Sequence, residues 1–129
     1  MNKYGRILII DDDNVAVFIM EDLLLELKMA DDILIASDGQ AALDILNQIR
    51  LKKSKIPDLI LLDINMPILN GFEFLEEYCK IEEFKGRIKI LILSTSSHTK
   101  DISKAECYDD VKGYLSKPIT REKLLSTLS

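Results

Sequence analysis

Asp58-Leu-Ile-Leu-Leu-Asp63-Ile-Asn-Met-Pro-Ile-Leu-Asn-Gly71 joins an apolar run to a carboxylate and then to a turn. Leu59 to Leu62 lacks polar alternation, which is the pattern of a strand buried on both faces of a parallel sheet. Asp63 stands at the carboxyl end of that strand. Met66-Pro67 turns the chain away from helical geometry, and Asn70-Gly71 makes a turn from which a helical pattern sets out. Parallel sheets bind ligands in the crevice beyond their strand carboxyl ends, so Asp63 is a candidate nucleophile. Read in isolation, it is equally an Asp favoured by a turn.

Working outward, the same grammar recurs. Tyr4 to Ile10 carries Ile7-Leu8-Ile9-Ile10 and runs into Asp11-Asp12-Asp13. Asn14 is expected to cap a helix of about four turns, with Ala16, Ile19, Met20, Leu23 and Leu27 on its apolar stripe. Ile33 to Ala36 is a third apolar run, after Asp31-Asp32, and a helix with Ala42, Ile45, Leu46 and Ile49 on one face follows Ser37-Asp38-Gly39. That helix ends in the one basic run, Arg50 to Lys55, whose cations complement a helix C-terminus. Beyond Gly71, Phe74, Leu75 and Tyr78 share a helix face, and Phe84-Lys85-Gly86 is expected to end that helix. Ile88 to Leu93 is a strand leading to Ser94-Thr95-Ser96-Ser97. Thr99 to Tyr108 is a weaker helix carrying Ile102 and Ala105. Val111 to Leu115 is a last strand before Ser116-Lys117-Pro118, and Thr120 caps a final helix through Leu124, Leu125 and Leu128. Strand and helix thus alternate five times, which predicts an α/β domain with a parallel sheet and helical crossovers.

With 129 residues, 47% of them hydrophobic, one domain with a sizeable core is expected. A net charge of -5 argues against a nucleic-acid-binding surface. Cys79 and Cys107 form neither a redox nor a zinc motif. Two thiols and no signal peptide fit the reducing cytosol, and no apolar run is long enough for membrane insertion.

Right-handed crossovers bring all strand carboxyl ends to one edge, so Asp11, Asp12, Asp63, Ser94 and Lys117 are expected to converge. Three close carboxylates repel one another and call for a cation. Hard oxygen ligands with open positions favour Mg²⁺, which also takes phosphate oxygens. A divalent cation, an ammonium, a hydroxyl and an accessible carboxylate suit in-line attack of Asp63 on a phosphoryl group.

Along essentially its whole length the chain resembles the response-regulator receiver domains of two-component signalling. The motifs that carry the resemblance are Asp11-Asp12, Asp63-x-x-Met66-Pro67-x-x-x-Gly71, Ser94 and Lys117-Pro118. The resemblance implies a single receiver domain over residues 1–129, of chemotaxis single-domain type. Its fold would be a flavodoxin-like, doubly wound (βα)5 unit with strand order 2-1-3-4-5. It implies Mg²⁺ held by Asp12, Asp63 and the carbonyl of Asn65, with Asp11 acting largely through water. Asp63 would be the phosphorylation site, assisted by Lys117 and Ser94. A histidine kinase or histidine phosphotransferase would be the donor. Ser94 replaces the commoner Thr of the family, and Thr95 and Ser96 follow where many relatives carry Ala or Gly and then a variable residue. Tyr114 falls on the aromatic switch position; its other reading is a half-buried strand residue. His98, the only histidine, is read as incidental.

Output is expected through a surface made by the fourth helix, last strand and last helix, read by a partner protein or in a self-dimer, because no output domain follows. An aspartate-nucleophile phosphatase would need a second Asp two residues after the first, where this chain has Asn65, and would need a cap domain. A nucleotide-binding module would need a glycine-rich loop after a strand. A phosphorelay intermediate or phosphate sink without switching output would share the same site. The expectation is therefore a cytoplasmic signalling phosphoacceptor rather than an enzyme, with no direct nucleic-acid contact.

Overall fold

The computed structural model describes residues 3–66, 68–94 and 99–128, apart from the side chains of 99–102. Pro67, Thr95, Ser96, Ser97 and His98 lie outside the described residues. The elements run β1 (Tyr4–Ile10), α1 (Asn14–Glu26), β2 (Ala30–Ala36), α2 (Gly39–Lys52), β3 (Leu59–Asp63) and α3 (Gly71–Tyr78). A 3-10 turn η1 (Glu82–Phe84) precedes β4 (Lys89–Ser94), α4 (Thr99–Glu106), β5 (Val111–Ser116) and α5 (Arg121–Leu128). All strand pairs are parallel, in the order β2-β1-β3-β4-β5. This is the flavodoxin-like arrangement, with its order reversing between β1 and β3.

The apolar runs lack alternation because each strand feeds two cores. Leu8, Ile10, Ile60, Leu62, Ile90 and Ile92 face α2, α3 and α4. Their neighbours Ile7, Ile9, Leu59, Leu61, Leu91 and Leu93 face α1 and α5. Successive strand side chains point to opposite faces, and here both faces are covered.

Four local readings need correction. Asp13, not Asn14, caps α1: its carboxylate accepts from Val15 N at 3.0 Å and Ala16 N at 3.3 Å. The buried stripe of α1 is Val17, Met20 and Leu24, and Ile19 is exposed, because the helix is apolar nearly all round and its periodicity has little contrast. β2 begins at Ala30, since pairing with β1 sets Arg6 opposite Asp32 and joins them in an ion pair of 2.8 Å. α3 ends at Tyr78, well before Phe84. Continued as a helix, Phe84 would lie about 240° round from Tyr78 and face water. The chain breaks instead, and Phe74, Tyr78 and Phe84 stack in series with centroids 5.9 and 6.4 Å apart.

Among the described residues no helix is long and apolar enough to cross a membrane.

Candidate functional site

β1 and β3 are adjacent and in register, Ile10 opposite Leu62, so the residues that follow them emerge side by side. Asp11 and Asp63 are both buried, and Asp12 is exposed. Carboxylate oxygens of these three residues lie within 4.8 Å of one another. Backbone donors hold two of the three: Asp13 N reaches Asp11 Oδ1 at 3.0 Å, and Asn65 N reaches Asp63 Oδ1 at 3.1 Å. Asp13 therefore both caps α1 and fixes Asp11. An acid placed just before a helical pattern was the available signal for this double role.

Lys117 comes from the other side. Its backbone N–H donates to Ser94 O at 2.7 Å, which anchors the segment after β5 to the end of β4. The ammonium stands 2.8 Å from Asp11 Oδ2 and 3.5 Å from Asp63 Oδ2. Ser94 is buried at the end of β4, opposite Ser116 in the register. Asn65 is exposed beside Asp63, and Tyr114 on β5 is 50% exposed.

The loop from Asp63 to α3 needs Gly71. A Cβ there would lie 2.7 Å from Ile64 Cα and 3.0 Å from Asp63 O, against backbone that cannot give way. Gly71 N instead bonds Ile64 O at 3.0 Å. Asn70 then starts α3 with a reciprocal cap: Glu73 N donates to Asn70 Oδ1 at 3.0 Å, and Asn70 N donates to Glu73 Oε1 at 3.1 Å.

The electrostatics follow from burial and crowding. Burial first, then the charge of Asp11, lifts Asp63 from 3.8 to about 6, against the opposing pull of Lys117 and the Asn65 N–H. Burial alone would lower Lys117, but its contacts with Asp11 and Asp63 outweigh that and raise it. One ammonium faces three carboxylates, two of them out of water. This oxygen-only donor set with surplus negative charge fits a divalent cation such as Mg²⁺. Asp63, buried at the carboxyl edge of β3 with the Lys117 ammonium 3.5 Å away, is a candidate carboxylate nucleophile.

A parallel α/β sheet with an acid cluster and a lysine at its switch point defines a class of phosphoryl-handling folds. Comparison with known proteins narrows it. The family described as "Response regulator receiver domain" matches residues 7–129. The chain belongs to that family. Receiver domains are signalling modules of two-component systems that bind Mg²⁺ at an acidic pocket, take phosphate from histidine kinases and relay it to output partners.

Among curated relatives, the nitrate/nitrite response regulator protein NarL of Escherichia coli (strain K12) is 36% identical over 127 residues, covering 96% of this chain and 53% of that protein. The protein-glutamate methylesterase/protein-glutamine glutaminase of Desulfotalea psychrophila is 40% identical over 93 residues, 72% of this chain and 24% of that protein. The chain thus spans about half or less of these relatives' length. Among solved structures, a two component response regulator from Cytophaga hutchinsonii superposes with a TM-score of 0.87 at 31% identity, covering 97% of this chain and 94% of that one.

Proposed function

We propose that the chain is a receiver domain over residues 1–129 that accepts a phosphoryl group on Asp63 and presents a changed surface to an output protein or to a second copy of itself. The observation that carries this reading is the cluster of buried Asp63 and Asp11 with exposed Asp12 and partly buried Lys117 at the mouth of β1 and β3. In the reaction, an Asp63 oxygen attacks the phosphorus of a phosphohistidine. The P–O bond of an acyl phosphate forms, the P–N bond breaks, and its electron pair returns to the imidazole. Lys117 holds positive charge between Asp11 and Asp63. Asp11, Asp12, Asp63 and the Asn65 carbonyl would hold Mg²⁺, which supplies neutralisation of phosphoryl oxygens when bound.

A protein donor is supported by the ground beside the site. Val15 and Ile19 on α1 are exposed and share a cleft of about 390 Å³ with Lys117 and Ile119. Phe18 on the same helix is 69% exposed. A histidine kinase or histidine phosphotransferase laid on these apolar side chains would bring its phosphohistidine to Asp63. For output, the hydroxyl of Ser94 would follow the phosphoryl oxygen and the exposed ring of Tyr114 would turn inward, altering the face of α4, β5 and α5. The test is transfer from a purified, radiolabelled phosphohistidine donor. Label should pass to the wild-type chain and not to Asp63→Asn; label on the variant would show that another residue is the acceptor.

A further inference from the structure

The edge of the sheet opposite Asp63 carries a second concavity. A cleft of about 830 Å³ opens between the end of α2, the segment 53–58 leading into β3, and η1 with the turn after it. Its inner wall is apolar, with Ile49, Pro57 and Phe84 buried there. Its rim carries Arg50, Lys53, Lys55 and Arg87.

Those cations are not explained by local structure alone. Arg50 sits in the last turn of α2, where a positive charge complements the helix dipole. Lys53 lies beyond that turn in the left-handed region (φ 51°), where its N–H bonds Arg50 O while Ser54 N bonds Ile49 O. Lys55 is further out, and Arg87 comes from a separate segment, after Gly86 turns the chain at φ 75°. Two carboxylates also line the cleft. Asp58 Oδ2 is taken by the backbone N–H groups of Gly5 at 2.7 Å and Arg6 at 3.2 Å, and Glu83 lies 3.7 Å from Arg50. Among the described residues no ion pair includes Lys53, Lys55 or Arg87. The Lys55 ammonium and the Asp58 carboxylate both lie over Gly5, yet four cations against two carboxylates leave the rim net positive, in a chain whose net charge is -5.

We propose that this cleft binds a phosphorylated small molecule of nucleotide size. Arg50 donates to Asn47 Oδ1 at 3.1 Å and Arg87 to Glu83 O at 3.5 Å, so each guanidinium keeps only its remaining N–H groups for phosphate oxygens, and the lysines add point charges. The apolar wall suits a ring system. The volume falls in the range of about 300–1,000 Å³ typical of ligand sites. The cleft shares no residue with the acidic cluster: β3 separates them, from Asp58 to Asp63, a strand of five residues or about 16 Å.

The test uses the metal-free protein, with EDTA present, so that no metal–nucleotide complex can be held at the acid cluster. Calorimetric titration with ADP should give saturable binding about tenfold tighter than pyrophosphate. Amide shifts should centre on Ser54, Ile56 and Gly86. Lys53→Gln with Lys55→Gln, both exposed positions, should weaken ADP about tenfold without altering the thermal melt, and Asp63→Asn should leave the affinity unchanged. Absence of ADP binding, equal affinity for ADP and pyrophosphate, shifts centred on Asp12 and Asp63, unaltered affinity in the double variant, or binding of an acidic peptide where ADP fails would each overturn the proposal.

Discussion

Lys117 Nζ stands closer to Asp11 than to Asp63, at 2.8 Å against 3.5 Å. The side chain proposed to serve the nucleophile pairs more closely with the neighbouring acid. A Mg²⁺ ion bound at the cluster would compete with the lysine for the same negative charge. Lys117→Gln should tighten Mg²⁺ binding about three- to tenfold, as removal of a nearby like charge predicts, whereas Asp12→Ala should abolish it. Titration of the three proteins with Mg²⁺ would decide; weaker binding by Lys117→Gln would contradict this competition.

The acid cluster also sets a pH dependence. In the metal-free protein Asp63 keeps its proton up to about pH 6, whereas an unfolded Asp loses it near 4. Between those values the native state binds more protons, so the contribution of Asp63 to stability falls as pH rises through the window. Asp63→Asn removes that loss. At pH 7 with EDTA the variant should exceed wild type by on the order of 1–3 kcal/mol, and the difference should vanish below about pH 4. Urea melts at both pH values check this. A variant less stable than wild type at pH 7 would mean that Asp63 is better compensated than its surroundings imply.

A third buried carboxylate lies at the other end of the sheet. The Tyr78 hydroxyl donates to Asp110 Oδ2 at 2.7 Å, and Gly86 N donates to Asp110 Oδ1 at 3.2 Å. Burial first, and then Asp110, pushes the Tyr78 phenol far above its ordinary value, so it stays protonated and donating. Tyr78→Phe should cost about 1.5–3 kcal/mol, the range for hydrogen bonds to charged groups, while leaving phosphorylation of Asp63 unchanged. Equilibrium unfolding together with a phosphorylation assay separates the two effects.

Strands and acid cluster were legible in the chain because one physical fact marks both. A sheet buried on two faces writes unbroken apolar runs, and the polar residue that ends each run is the one delivered to the binding edge. Asp11, Asp63 and Ser94 follow such runs; Lys117 follows the mixed strand β5 and is marked by Lys117-Pro118 instead, and only contact geometry shows that it favours Asp11. Other features had no local mark. Asp110 reads as a loop acid because Tyr78, its partner, is 32 residues away. The early end of α3 depends on burying Phe84 against Tyr78, a requirement that periodicity within the helix does not contain. In α1 the apolar residues exceed what the core can cover. Which of them face water was decided by packing on β1 and β3, and Val15 and Phe18 were left out.

Asp63 is proposed as the nucleophile, with the chemistry residing in this domain. The most direct measurement is intact mass after incubation with acetyl phosphate and Mg²⁺, followed by borohydride trapping, which reduces an acyl phosphate to the alcohol. The expected result is a gain of one phosphoryl group, lost when EDTA replaces Mg²⁺ and absent from Asp63→Asn, with homoserine at position 63 of the trapped peptide. An adduct that persists on Asp63→Asn, or a trapped residue at Asp11 or Asp12, would contradict it.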